Sequence, residues 1–496
     1  VNRSMYAING QFPGPVIRLN EGDQLLINVT NELSEPTTMH WHGLYQNGTN
    51  WMDGTSGITQ CPIPAGQSFL YNFTVTGQYG TYWYHSHYST QYTDGIVGPL
   101  IIHSPDEATI QKSYDYDQII LVQDWYHNPT ESLISDYLAS GNENAEPVPD
   151  NGLILGTNYF NCSSYGADSG YVCYDNSTRA IIPVQQNKTY RFRLINTGAF
   201  GEFQFSVDNH TLSVIEADST LVEPLTVHRL QIHVAQRYSV LFHANQTATN
   251  YWLRAQMNDH CFSSDTSSGG SILDPDNLAL ITYTNSTSEP TASVDWSDAL
   301  DLACDDLNPS LLVPSTAEAA PAVDTTYVIE VSFQIGAYAL DKAYINSTTW
   351  SPSTVPTLNQ AVTGLESSNT SAEFSTTGLS TAFDTSSQFV ISIPTIQTID
   401  LLINNLDEGA HPFHLHGNQF WILATGASGD FDWSSYPSLN TTNPMRRDTM
   451  TVDAYGWSLI RFRADNPGLW AFHCHISWHM EAGLLMQFMT RADLMK

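Results

Sequence analysis

PGLWAFHCHISWHMEAGL, residues 467–484, sets Cys474 between His473 and His475 on an aromatic, apolar run. In an extended strand, side chains i and i+2 project to one face and i+1 to the other. His473 and His475 therefore face one way and Cys474 the opposite way, so one short strand can serve two metal centres. Adjacent Cα atoms lie only about 3.8 Å apart, which gives electrons a short covalent route from the sulfur to both flanking imidazoles. The His-x-His spacing recurs at His40/His42, His85/His87 and His414/His416. Seventeen histidines among 496 residues would give roughly 0.6 such pairs by chance. Four pairs demand a cause, and metal binding supplies one.

Outward from this stretch the chain repeats itself. LLINVTNEL (25–33) leads to MHWHG (39–43), and LLINNLDEG (401–409) leads to FHLHG (413–417). YGTYWYHSH (79–87) and PGLWAFHCH (467–475) share a glycine five residues before the first histidine. A third, degenerate copy runs from RLINTG (193–198) to VDNH (207–210), with NYWLRA (250–255) in place of the second half; it has lost its His-x-His pairs. Between these landmarks lie short alternating or β-branched stretches such as QLLINV, SFLYNFTV, TYRFRLI, YSVLFHA and SLIRFRA, separated by Gly, Pro, Asn and Ser turns. That pattern predicts an all-β chain with little helix. Three Greek-key sandwich or barrel units are expected at 1–104, 105–289 and 290–496, with SPDEAT and TNSTSEPTAS as polar connectors. The Ser/Thr-rich stretch 350–390 reads as loop.

Composition narrows the function. Fifty acidic against 17 basic side chains give a formal charge of −33, which repels nucleic acid and anionic membranes. No long uninterrupted apolar run is present, and Val1 to Tyr6 lack the regions of a signal peptide; a soluble, processed chain is expected. Thirteen Asn-x-Ser/Thr sequons favour a secreted, N-glycosylated protein. With Cys474 reserved for metal, local pairing predicts disulfides Cys162–Cys173 and Cys261–Cys304 and leaves Cys61 over.

A thiolate with two imidazoles and a weak or absent axial ligand is the donor set of a blue copper site. Cys474 supplies the thiolate, and His411 and His479 complete the set. Zinc also accepts these donors, but it leaves the asymmetric cysteine unexplained. His103, His127, His210, His228, His233, His243 and His260 lack pair spacing and read as structural.

HWHG, HSH, HPFHLHG and HCHISWHMEAGL resemble the four copper signatures of the multicopper oxidases, and NWMDGTSGITQCPI and RFRADNPGLWAFHCH extend the likeness, most of all to fungal laccases. The resemblance implies three cupredoxin domains and four copper ions. Type 1 copper would take His411, Cys474 and His479. Type 2 copper would take His40 and His414. The type 3 pair would take His42, His85 and His475 with His87, His416 and His473. It further implies one-electron oxidation of phenols and aromatic amines at type 1 copper, with dioxygen reduced to two waters at the trinuclear cluster. Small aromatic donors and O2 are then the partners, and the chain is expected to act as a monomer. A ferroxidase of the same fold, with Asp407 and Glu408 binding the metal, is the rival enzyme, although Gly409 and Ala410 favour reading the two acids as solvated turn residues; a non-catalytic copper-binding protein is the rival of another class.

Several positions depart from the family pattern. Phe200 stands where a carboxylate usually accepts the phenolic proton, and Glu202 nearby is the expected substitute. Ser477 replaces a frequent acid, and Asn418 a frequent His. Cys61 matches a cysteine that bonds a C-terminal tail in relatives. Asp53 matches the acid beside the cluster; capping the DGTSG turn is its alternative role. Leu484, ten residues after Cys474, fills the axial position and cannot ligate. A missing axial donor disfavours Cu(II) and raises the potential. Leu484→Met is therefore expected to lower the type 1 potential in a redox titration; an unchanged or higher value contradicts this.

Overall fold

The computed structural model describes residues 3–142, 146–164, 170, 172–174, 177–262, 273–298, 300–335, 341–366 and 377–495. The alternating stretches form strands. QLLINVT becomes Gln24–Thr30, paired antiparallel with Ser68–Thr74, and its exposure alternates residue by residue. TYRFRLIN and QTIDLLINN become Thr189–Asn196 and Gln397–Asn405, more fully covered because each lies inside a six-stranded sheet.

The strands assemble into three cupredoxin-like units. In the first, a four-stranded sheet in the order Ile17–Asn20, Val97–His103, Gly80–His85, His40–His42 shares an apolar core with the two-stranded pair. The second combines sheets of six and five strands, and the third two sheets of six. Each repeat carries a similar parallel pairing: Ile17–Asn20 on Val97–His103 and Ile181–Pro183 on Asp276–Thr282 at sheet edges, and Val390–Ile393 on Leu485–Thr490 one strand in from the edge strand Gly378–Leu379. The sequence repeat is thus a repeat of topology, and the middle copy keeps the frame without the histidines.

Antiparallel pairing brings the His-x-His runs together. His40 lies opposite His85, His414 opposite His473, and Phe413 opposite Cys474. The expected disulfides Cys162–Cys173 and Cys261–Cys304 are formed, while Cys61 is exposed and Cys474 buried. Among the described residues, no helix is long and apolar enough to cross a membrane.

One expectation is corrected. Thr357–Glu366, inside the stretch read as loop, is a helix. Leu358, Ala361, Val362 and Leu365 fall at i, i+3, i+4 and i+7, a helical stripe hidden among polar neighbours, and they pack with Ile58, Leu469 and Ala471. Residues 367–376 of the same stretch lie outside the described residues.

Buried ion pairs join the repeats. Arg237 donates to both carboxylate oxygens of Asp448 at 2.6 Å, and its Nε donates to the carbonyl of Thr81 at 3.0 Å. Arg447 makes two 3.0 Å bonds to Asp218. All four side chains are buried. Removing one partner of such a pair strands the other charge in a dry interior, at a cost of about 3–5 kcal/mol. Arg237→Met is expected to lower stability by about that amount, read as an earlier thermal unfolding midpoint; a midpoint equal to that of the parent contradicts it.

Candidate metal centre

Three elements converge on Cys474. His411 opens the strand His411–Leu415, Cys474 closes the strand Gly468–Cys474, and His479 lies on the short helix Ser477–Glu481. The Cys474 sulfur lies 3.8 Å from His411 Nδ1 and 3.6 Å from His479 Nδ1, and the two nitrogens are 2.9 Å apart. The segment closes on itself: Cys474 N–H donates to the carbonyl of Leu484, and Leu484 N–H to that of His479. Burial pushes the Cys474 thiol up, but hydrogen bonds from His411 and His479 outweigh it and bring the thiol down to about 7. Burial likewise depresses His479, yet the charge of Glu146 and the contact with Cys474 raise it to about 10. A thiolate and two imidazoles so disposed must give up their protons to bind a metal cation.

On the other face of the same strand lies a dome of eight imidazoles. His87, His416 and His473 turn their Nε2 atoms toward one another, His473 being 3.4 Å from His87 and 3.1 Å from His416. The rings of His42, His85 and His475 lie 5.1–5.8 Å apart. His40 groups with His414 and His416. Outer nitrogens are anchored: Nδ1 of His40 contacts the Asp53 carbonyl at 2.7 Å, of His85 the Ser86 carbonyl at 2.8 Å, of His414 the Asp448 carbonyl at 2.9 Å, and of His473 the Cys474 carbonyl at 2.8 Å. Such contacts fix the tautomer and aim the free nitrogen inward. His42 is reversed, with Nε2 toward Asp448 at 3.4 Å.

The inward atoms fit a metal cluster. His40 Nε2, His42 Nδ1, His85 Nε2, His414 Nε2 and His475 Nε2 are buried and have no hydrogen-bond partner. A buried unpaired nitrogen is costly unless something occupies it. Burial drives His42, His85, His416, His473 and His475 well below the usual imidazole range, and His87 to about 3. These six rings are therefore neutral and ready to ligate, and the donor set of the dome suits copper.

Two carboxylates carry this shell. Asp53 contacts His416 Nδ1 at 2.8 Å and His40 Nδ1 at 3.3 Å, and accepts from Thr55 Oγ1 at 2.8 Å. Burial raises its carboxyl, but the two histidines overcome this and hold it well below the usual carboxylate range. The backbone N–H of Asp53 also closes the short turn Asn50–Met52 by donating to the carbonyl of Asn50. Asp448 serves His42 and His414 in the same way, steadied by Arg237.

Comparison with known proteins agrees with this geometry. The multicopper oxidase family pattern matches residues 1–107, 116–284 and 350–493. Laccase-5 of Trametes villosa is 38% identical over 499 residues, covering 97% of this chain and 85% of that protein. The chain belongs to the multicopper oxidase family. Among solved structures, the laccase of Botrytis aclada superposes with a TM-score of 0.83 at 33% identity, covering 99% of this chain and 85% of that one. Fet3p, described as a multicopper oxidase that functions in iron import, superposes at 0.84 with 31% identity, covering 98% and 86%. The protein is a laccase-like multicopper oxidase, and its family implies four coppers: one type 1, one type 2 and a type 3 pair.

A cavity of about 260 Å³ lies beside His479, walled by Phe200, Phe262 and Phe333. Glu146 Oε1 is 2.5 Å from His479 Nε2. Glu202, expected to face the substrate, does not line this cavity. Asp124 accepts the N–H groups of Ala199, Phe200 and Gly201 at 2.7–2.8 Å, which fixes the turn so that Phe200 reaches the cavity. Glu202 is fully buried beneath it and accepts from Asn258 Nδ2 at 3.2 Å. His479 itself is only 2% exposed, so its edge is reached through the cavity rather than from open solvent. His233 and His260, read as structural, also line it. Sequence reasoning missed Glu146 and Asp448, which lie in irregular or Arg-rich segments without metal spacing; the run Arg446-Arg447-Asp448 was the one available hint of a buried charge. Asp53→Ala takes the carboxylate from His416 Nδ1 and leaves His40 its bond to the backbone carbonyl at 53, so it is expected to loosen His416 and weaken copper retention at the histidine dome about 10–100-fold. Copper content after chelator challenge measures this; parent-like retention contradicts it.

Proposed function

We propose that the protein is a secreted, N-glycosylated, monomeric oxidase of small phenols and aromatic amines, with unit boundaries near residues 104 and 289. The observation that carries the reading is the convergence of a His411–Cys474–His479 set and an eight-histidine dome on opposite faces of one strand. In it, His411, Cys474 and His479 hold type 1 copper, and His40 and His414 hold type 2. His42, His85 and His475 with His87, His416 and His473 hold the type 3 pair. When bound, the coppers supply one-electron acceptance from the donor at the first site and four-electron reduction of O2 to two waters at the second.

The chain's own residues do the rest. Phe200, Phe262 and Phe333 orient a flat donor ring against the edge of His479 and exclude water from it. Glu146 Oε1, beside His479 Nε2, accepts a hydrogen bond from the donor's hydroxyl or amine. Glu202, which has no place at that edge, serves the packing under Cys261 instead. Cys474 is the covalent link to the neighbouring histidines. Asp53 holds His40 and His416 in their ligating tautomers and, with Thr55, hands on protons to the cluster side. Ser477 donates to Tyr92 at 2.8 Å and keeps a polar contact where relatives carry an acid.

One observation favours a second reading. Asp407 lies 3.2 Å from His411 Nε2, and with Glu408 and Glu146 it rims the cavity, an acidic mouth that also suits a metal-ion donor. The aromatic walls weigh toward an organic ring. Steady-state comparison of Fe(II) with 2,6-dimethoxyphenol decides: the phenol is expected to win on kcat/KM, and Fe(II) winning by orders of magnitude would reverse the assignment.

A further inference from the structure

We propose that the cavity at His479 selects aromatic donors bearing a positive charge, such as aryl-alkyl ammonium compounds, over neutral and above all anionic donors of the same ring. This rests on the laccase-like reading and adds a specificity that ring chemistry alone does not supply.

The lining gives the argument. The cavity has room for about one substituted ring, and three phenyl rings form its walls. Phe200 packs edge-on to Phe262 with centroids 4.9 Å apart, and Phe333 stands 4.8 Å from the His479 ring. Among the described residues, the acidic groups lining the cavity are Glu146, Asp407 and Glu408, beside the imidazoles of His233, His260 and His479, and no lysine or arginine lines it. The carboxylates are spread around the mouth: Glu146 over His479, Asp407 beside His411 and bonded to Gly409 N–H at 3.0 Å, Glu408 exposed at the rim. More negative charge lies behind the wall. Asp301, Asp305 and Asp306 lie around Cys304, and Asp305 and Asp306 accept from Gln231 and Gln236, which are neutral.

A ring in this cavity therefore meets π faces on its sides and carboxylates toward solvent. An ammonium group one or two bonds from the ring is attracted by both. An anionic substituent in the same place loses its hydration and meets three like charges. A bare metal ion would use the carboxylates and leave the phenyl walls without a role.

Three guaiacols that differ in one group test this on the copper-loaded protein: vanillylamine, vanillyl alcohol and homovanillate. The ammonium group withdraws electrons and makes its ring intrinsically harder to oxidise, so chemistry alone biases against the expected order. We expect kcat/KM to fall from amine to alcohol to homovanillate, with roughly tenfold or more between the ends at low salt. The spread should shrink strongly in 0.5 M salt, where the screening length is only about 4 Å. Glu408→Gln should reduce the amine-to-homovanillate ratio about two- to fivefold, whereas Glu32→Gln, an exposed acid on the first unit, should leave it unchanged and so separate the cavity from the overall −33 charge. Redox-inert phenyltrimethylammonium and benzenesulfonate supply a binding readout by calorimetry, the cation being expected to bind roughly tenfold tighter or more. An equal or reversed order, a spread that salt leaves intact, or equal binding of the two inert ions would overturn the inference. If vanillyl alcohol is not oxidised at all, the laccase-like assignment fails, and the inert-ion comparison still decides on selectivity.

Discussion

Successive side chains of a strand leave on opposite faces, and the site depends on that rule applied to His473, Cys474 and His475. Sheet pairing holds the strand Gly468–Cys474 rigidly between His411–Leu415 and Leu485–Thr490, so neither the sulfur nor the imidazoles can swing to the other side. A one-residue slip would exchange the two faces and dismantle both donor sets at once. The surrounding architecture can be read as the means of fixing that register: a three-fold repeat of one sandwich, with the first and third units meeting where their His-x-His strands face each other.

Placing eight imidazoles in a dry interior has a cost that the carboxylates behind the rings offset. Burial, with repulsion from neighbouring imidazoles, depresses His42, His85, His473 and His475 and so favours the neutral form that ligation requires, but it leaves several nitrogens without partners. Asp53 and Asp448 each bind two outer ring nitrogens and are themselves held, by Thr55 in one case and by Arg237 in the other. The Arg237–Asp448 pair thus belongs both to the joint between units and to the metal shell. Stability and ligand geometry are coupled there, because loosening the joint frees a carboxylate that aims His42 and His414.

Much of this was legible in the residues. The all-β class followed from the period-two stretches, and the repeat from LLINVTNEL and LLINNLDEG, because strands with one covered face must alternate. The eleven donors stood out because a spacing of two on a strand is a geometric statement. Local proximity was enough for the two disulfides. What escaped notice depends on contacts distant in sequence. The helix Thr357–Glu366 has a weak stripe in a polar background and is stabilised by packing on Ile58, Leu469 and Ala471. Glu146 reaches His479 across 333 positions of chain, and no local pattern announces it. Phe200 was expected at the substrate-facing position and lines the cavity, but Glu202, expected as its nearby substitute, is turned into the interior because Asp124 ties the turn at residues 199–201. Near a site, one residue of turn geometry decides which side chain faces the substrate.

On the proposed assignment, one sulfur joins a lone copper to a three-copper cluster. Optical absorption of the purified, copper-replete protein, with metal quantitation on the same sample, tests it most directly. A strong thiolate-to-copper band near about 600 nm, with four coppers per chain, is the predicted result; a colourless protein, or one carrying zinc in those places, would contradict the account.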